Sequence, residues 1–173
     1  MSDMIIRKLT AAAADAEASR ALRLAGTLES PAAFWSSHEE ELRNSLDAMA
    51  QRIVETPFQC VFGLFAGAEL VGMAGLKREQ IDNVSHRAGV WGVYVAPQAR
   101  GTGAARRLMQ ALIAYARTLP GVVQLTLSVR AVSAVANALY AKLGFEHTGV
   151  ERRSIYCDGV YYDENRMVLM LDA

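Results

Sequence analysis

A chain of 173 residues and 18.8 kDa has room for a single domain, 1–173, since one core usually serves about 100–200 residues. Its 18 Lys and Arg balance 18 Asp and Glu at a pI near 6.8, which excludes the overall positive field behind non-specific nucleic-acid or membrane binding. A composition of 52% hydrophobic and 21% charged residues is that of a packed globular protein, and no run approaches the roughly 20 apolar residues of a membrane span.

Met1-Ser2-Asp3-Met4 has neither the basic start nor the apolar block of a signal peptide, so a cytoplasmic location is expected. Ile5 to Leu9 reads as a strand, and Thr10 as the N-cap of an alanine-rich helix reaching about Leu24. Beyond the turn residues Thr27, Ser30 and Pro31, the spacing of Leu42, Leu46, Met49, Ala50 and Ile53 predicts one amphipathic helix over Glu39 to Val54. Phe58 to Phe65 and Glu69 to Lys77 are apolar runs joined by Ala66-Gly67-Ala68, a hairpin connection, and Ala88 to Val95 is a third strand ending at Pro97. From Gly103 to Arg117 a helix places Ala105, Leu108, Met109, Leu112, Ile113 and Ala116 on one face. After Pro120-Gly121, Val122 to Val129 alternates as a strand. Val132, Val135, Ala136, Leu139 and Leu143 then form the apolar stripe of another helix, closed by Gly144. Two terminal strands, Phe145 to Tyr156 and Val160 to Leu171, flank Cys157-Asp158-Gly159. The order β-α-α-β-β-β-α-β-α-β-β indicates a mixed α/β domain. Cys60 and Cys157 are widely separated, and His38, His86 and His147 match no paired ligand pattern, so neither a disulfide framework nor a metal site is expected.

The most informative stretch runs from Val93 to Ala105, where a strand passes through a glycine turn directly into a helix. Successive backbone N–H groups and the positive end of a helix can converge there on a phosphate or pyrophosphate. Gly101 and Gly103 permit close approach, and Ala104 and Ala105 keep the first turn unobstructed. A dinucleotide turn of the G-x-G-x-x-G kind fails because position 106 is Arg, and a P-loop fails because Ala104-Ala105 replace Lys-Ser or Lys-Thr.

Arg100-Gly101-Thr102-Gly103-Ala104-Ala105 is similar to the R/Q-x-x-G-x-G/A signature of the GNAT superfamily of N-acetyltransferases, and Val93-Tyr94-Val95-Ala96-Pro97 before it resembles that family's strand. Ala136-Asn137-Ala138-Leu139-Tyr140-Ala141-Lys142-Leu143-Gly144-Phe145 resembles the family's A-x-x-L-Y-x-x-x-G-F helix, and Ser30 to Phe34 with Glu39-Glu40-Glu41 looks like a segment between its first two helices. The resemblance spans nearly the whole chain. It implies a largely antiparallel central sheet flanked by helices, and acetyl transfer from acetyl-CoA to a primary amine by direct attack in a ternary complex. The acceptor would be a small molecule or a peptide N-terminus, and a homodimer is possible.

By the same resemblance, backbone amides of Arg100, Gly101, Thr102, Gly103, Ala104 and Ala105 bind the CoA pyrophosphate, and main-chain groups of Val93 and Val95 pair with the pantetheine arm. Tyr140 matches the family's general acid, which protonates the departing thiolate; a phenol near pKa 10 can donate to a thiolate of about 8.5. Ser133, Asn137 and Tyr140 form a polar strip at helical spacing. Ser133 stands where many members carry asparagine, so either it or Asn137 contacts the cofactor. The general base is open among Glu79, Asp82, His86 and an ordered-water path. The competing reading is a CoA-binding sensor or regulatory module with little turnover.

Charge is segregated. Ala96 to Arg130 holds five arginines and no acid, a balance of +5, whereas Thr27 to Pro57 balances at −4. The first stretch suits phosphates and the second cations. Phe34, Trp35, Tyr156, Tyr161 and Tyr162 are the aromatic candidates to line an acceptor pocket.

Overall fold

Direct connections between consecutive strands account for three of the six strand pairings. The computed structural model describes residues 4–171, so Met1 to Asp3, on which the expected location partly rests, lie outside the described residues. Strand β1 (Met4–Lys8) pairs antiparallel with β2 (Gln59–Ala66), β2 with β3 (Glu69–Arg78), and β3 with β4 (Arg87–Val95). Strand β4 runs parallel to β5 (Gln124–Arg130), which pairs antiparallel with β7 (Val160–Met170), and β7 pairs with β6 (Glu146–Cys157). The result is one seven-stranded, mostly antiparallel sheet in the order β1-β2-β3-β4-β5-β7-β6. Asp158 and Gly159 both take positive φ, +50° and +78°, which gives the tight β6–β7 turn the twist that flanking strands require.

Helix α1 (Ala13–Glu29) is longer than its sequence pattern suggests, and its N-cap is Ala12. Thr10 serves elsewhere: its backbone N–H and its hydroxyl donate to Asp15 at 2.8 and 3.0 Å, and Arg7 of β1 grips the same carboxylate at 2.7 and 2.9 Å. Asp15 therefore ties the first helix to the edge strand. The helix expected over Glu39 to Val54 divides into α2 (His38–Arg43) and α3 (Leu46–Ile53), adding one element to the predicted order. Ser45 causes the division by accepting the amide of Ala48, a new N-cap that ends one helix to begin another. Ser37 caps α2 in a reciprocal capping box with Glu40.

The core lies where the sheet is covered twice. Strands β2 and β3 are buried at successive residues, hence on both faces. On one face Phe62 meets Tyr115 of α4 (Ala104–Ala116) at 5.7 Å between rings, and on the other Tyr94 lies against Gly26 of α1. Strand β5 alternates, burying Leu125, Leu127 and Val129 while Thr126 and Ser128 face a less covered side. Helix α5 (Ala134–Lys142) closes at Gly144, φ +93°, where Gly144 and Phe145 donate to Ala141 and Tyr140, a Schellman stop. Of the apolar stripe expected here, Ala136, Leu139 and Leu143 pack against the core, whereas the structure corrects Val132 and Val135, which are 74% and 86% exposed. Within α5 Tyr140 is the one buried residue.

Candidate functional site

Strands β4 and β5 begin side by side and then part. Their pairing is confined to Arg87 with Gln124, Ala88 with Leu125 and Gly89 with Thr126, so from Val90 onward β4 has no strand partner on that side. Gly92 adopts φ +60° at a register irregularity against β3, a bulge that turns β4 away from its neighbour. The Trp91 indole packs on Gly75, where an added Cβ would lie 2.2 Å from the ring. The parting opens a cleft of about 700 Å³ between Val90 to Val93 on one wall and Thr126 to Arg130 on the other. Ser133 and Tyr140 reach it from the α5 side, and Phe34, Trp35 and Glu164 from elsewhere.

The glycine turn follows the free end of β4. Gly101 and Gly103 sit at φ +74° and +79°, and helix α4 starts at Ala104. Among the described residues, the amides of Gly101, Thr102, Gly103, Ala104 and Ala105 have no protein acceptor and stand as free donors at the helix start, whereas the Arg100 amide, expected among them, is corrected by the structure: it donates to the Pro97 carbonyl at 3.2 Å. Arg100 points its side chain away from them. Its guanidinium forks onto Glu29 at 2.5 and 2.7 Å, and its Nε donates to the Val95 carbonyl at 2.9 Å. The Tyr94 hydroxyl donates to the same Glu29 at 2.7 Å.

Tyr140 is 7% exposed, its ring edge-on to Phe145 at 5.8 Å, and burial pushes its phenol up to about 12. Ser133 keeps a free hydroxyl beside it among the described residues. Asn137 is fully engaged: its amide donates to the carbonyls of Arg130 and Ser133 at 3.1 and 2.7 Å, and its oxygen accepts from Asn165 at 2.8 Å. It clamps α5 to the ends of β5 and β7. Val93 borders the cleft, while Val95 is buried at the strand end. Glu79 borders the cleft as well; Asp82 and His86 lie outside it.

Three features of the site escape sequence reading. Arg23 of α1 is 6% exposed and donates to Glu41 at 2.5 Å and to Ser36 at 3.2 Å. Burial alone raises the Glu41 carboxyl, but hydrogen bonds from Arg23 and Ser36 and the charges of Arg23 and Arg52 outweigh it and hold the group at about 2. Glu164 of β7 is 4% exposed and accepts from Trp35 and Ser154. A signal for Arg23 did exist: Ala16, Ser19, Arg23 and Gly26 share a helical face, an arginine set among small residues. The segregated fields are also modified, since Glu29 pairs with Arg100, Glu41 with Arg52 at 3.1 Å, and Glu55 with Lys8 at 2.5 Å. Of the expected aromatics, Phe34 and Trp35 line the cleft. Tyr156 borders a second groove with Trp35, Tyr161 lies tilted against Tyr156 at 4.8 Å between rings, and Tyr162 lies under Arg130.

Among the described residues no helix is long and apolar enough to cross a membrane. A mostly antiparallel sheet, parted between parallel strands beside a helix start that presents free amides, can hold a phosphate at the turn and an extended arm along β4. The Acetyltransferase (GNAT) family model matches residues 13–145, and the chain belongs to that family. It is 36% identical over 107 residues to the N-alpha-acetyltransferase RimI of Mycobacterium tuberculosis; the match covers 61% of this chain and 64% of that relative. Its fold is similar to a ribosomal-protein-alanine N-acetyltransferase of Brucella melitensis, at 26% identity and TM-score 0.76, over 96% of this chain and 99% of that one. It is also similar in fold to a putative acetyltransferase of Salmonella typhimurium solved with acetyl-CoA, at 24% identity and TM-score 0.81, over 99% and 96% of the two chains.

Proposed function

We propose that the protein is an acetyl-CoA-dependent N-acetyltransferase that acts on a primary α-amine, by direct attack in a ternary complex. The observation that carries this reading is the parted β4–β5 pair, which connects free amides at the glycine turn to a buried phenol at Tyr140. Those amides fit a pyrophosphate, and the unpartnered side of β4 at Val93 and Val95 fits an extended amide-bearing arm. Acetyl-CoA supplies a thioester, whose C–S bond breaks as the amine nitrogen bonds to the acetyl carbon.

The chain's residues supply the rest. The amides of Gly101 to Ala105 hold phosphate oxygens, Arg100 stiffens their turn through Glu29, and Ser133 offers its hydroxyl to the arm. The acceptor sheds a proton to solvent and attacks as the neutral amine, a second proton leaves the nitrogen to solvent as the amide forms, and the Tyr140 phenol gives its proton to the leaving sulfur and regains one from solvent. Asn137 acts by positioning α5. Relatives named as acetylating protein N-termini support an α-amine of a peptide as acceptor.

Thiol release from acetyl-CoA across a panel of amines tests the reading. Amine-dependent release is expected. Tight CoA binding with no release for any amine would mark a binding module instead.

A further inference from the structure

We propose that the cleft grips its acceptor as an α-amino acid unit, the ammonium against Glu164 and the adjacent carbonyl or carboxylate oxygen against Arg23; this rests on the acetyl-acceptor reading above. Glu164 is the first half of the argument. It is 4% exposed, yet its donors are neutral: Ser154 Oγ at 2.5 Å and Trp35 Nε1 at 3.2 and 3.4 Å. Among the described residues no Lys, Arg or His lies within ion-pair distance of it. A carboxylate can accept about four hydrogen bonds, and Oε1 meets only the longer Trp35 contact, so capacity is left over. A buried anion served only by neutral donors is one that a ligand cation would complete.

Arg23 is the second half. Its Nη2 serves Glu41 and Ser36, while Nε and Nη1 are buried without a partner. Nη1 lies at the β4 bulge, 3.2 Å from where a Cβ on Gly92 would stand, and the rings of Phe34 and Trp91 flank the guanidinium at 5.5 and 6.0 Å. Arg23 and Arg52 share the one carboxylate of Glu41, so this cluster carries an excess positive charge. Unpartnered N–H groups with surplus charge, lining a cleft, call for an oxygen acceptor.

One short segment fixes both ends. Ser36 holds Arg23, and its neighbour Trp35 holds Glu164; both charged groups line the same cleft without pairing with each other. An α-amino acid unit bears its ammonium and its carbonyl oxygen on adjoining atoms, which satisfies both. A simple alkylamine reaches only Glu164, and a polyamine brings a second cation towards Arg23.

Calorimetric titration of the CoA-loaded protein with alanine, alaninamide, the peptide Ala-Ala-Ala and ethylamine tests this. Alaninamide is expected to bind at least about tenfold more tightly than ethylamine, a difference of roughly 1.4 kcal/mol. Alanine against Ala-Ala-Ala separates a free amino acid from a peptide terminus as the source. Glu164→Gln keeps the side chain's shape and should weaken alaninamide at least about tenfold while leaving CoA affinity unchanged. Arg23→Lys keeps a charge on Glu41 and should erase the preference for alaninamide over ethylamine; the wild-type comparison stands even if that variant fails to fold. Equal binding of ethylamine and alaninamide, no binding by any member of the panel, or an unaffected Glu164→Gln overturns the inference. Binding without thiol release would overturn acetyl transfer and leave this recognition intact.

Discussion

Removing the Tyr140 ring from water keeps its proton in place: with ionisation pushed to about 12, the phenol stays a donor throughout the pH range in which amines become nucleophilic. Tyr140→Phe is therefore expected to lower kcat by about 10²-fold or more while leaving affinity for CoA nearly unchanged, as single-turnover and binding measurements would report. In the parent enzyme, loss of this acid should contribute no fall in rate below about pH 10, because the raised phenol is still protonated there. Tyr140 is legible in sequence because its motif is local. Glu164 is not, since its contact with Trp35 joins residues 129 apart, and Arg23 meets Glu41 across 18. The sequence order of these residues carries no information about such meetings.

The turn between β4 and α4 is stiffened by Arg100 and by the element it reaches, the last turn of α1. Arg100→Ala should weaken CoA binding by less than about fivefold, in line with the ~0.2–1 kcal/mol of a partly exposed pair. Glu29→Gln should produce a similar loss. Were Arg100 instead a phosphate ligand, freeing it from Glu29 would strengthen binding, so titrating both variants separates the two roles. At this scale the strands, the glycine turn and the cap at Gly144 are readable, because turn chemistry and alternation are local properties. The break between α2 and α3 is hidden by continuous spacing: Leu42 and Leu46 stand four apart, yet they are 49% and 42% exposed and belong to different helices. Apolar periodicity also misreads the start of α5, where Val132, just before the helix, and Val135 within it meet solvent. Spacing identifies an apolar face without saying what covers it.

Across the molecule, buried carboxylates set the response to acid. Glu41 and Asp15 are both held at about 2 in the folded chain, against ordinary values of 4.5 and 3.8, Asp15 chiefly by its hydrogen bonds from Arg7. Protonation thus favours the unfolded chain: the stabilisation is complete above about pH 5 and is lost as pH falls from the ordinary values towards 2. Glu41→Gln leaves Arg23 buried without its counter-ion and is expected to cost about 3–5 kcal/mol at neutral pH, with a flatter decline below pH 5, measured by urea unfolding at a series of pH values. The three residue pairs that join β4 to β5 have a consequence in time as well as in space. Strands β1 to β4 and β5 to β7 form two panels connected by this short seam, so Ala88, whose backbone faces β5, should exchange amide hydrogen with solvent well before Phe62 to Leu64 in the doubly covered core. Saturating CoA should slow that exchange, making the lifetime of the closed seam a property that the bound ligand sets.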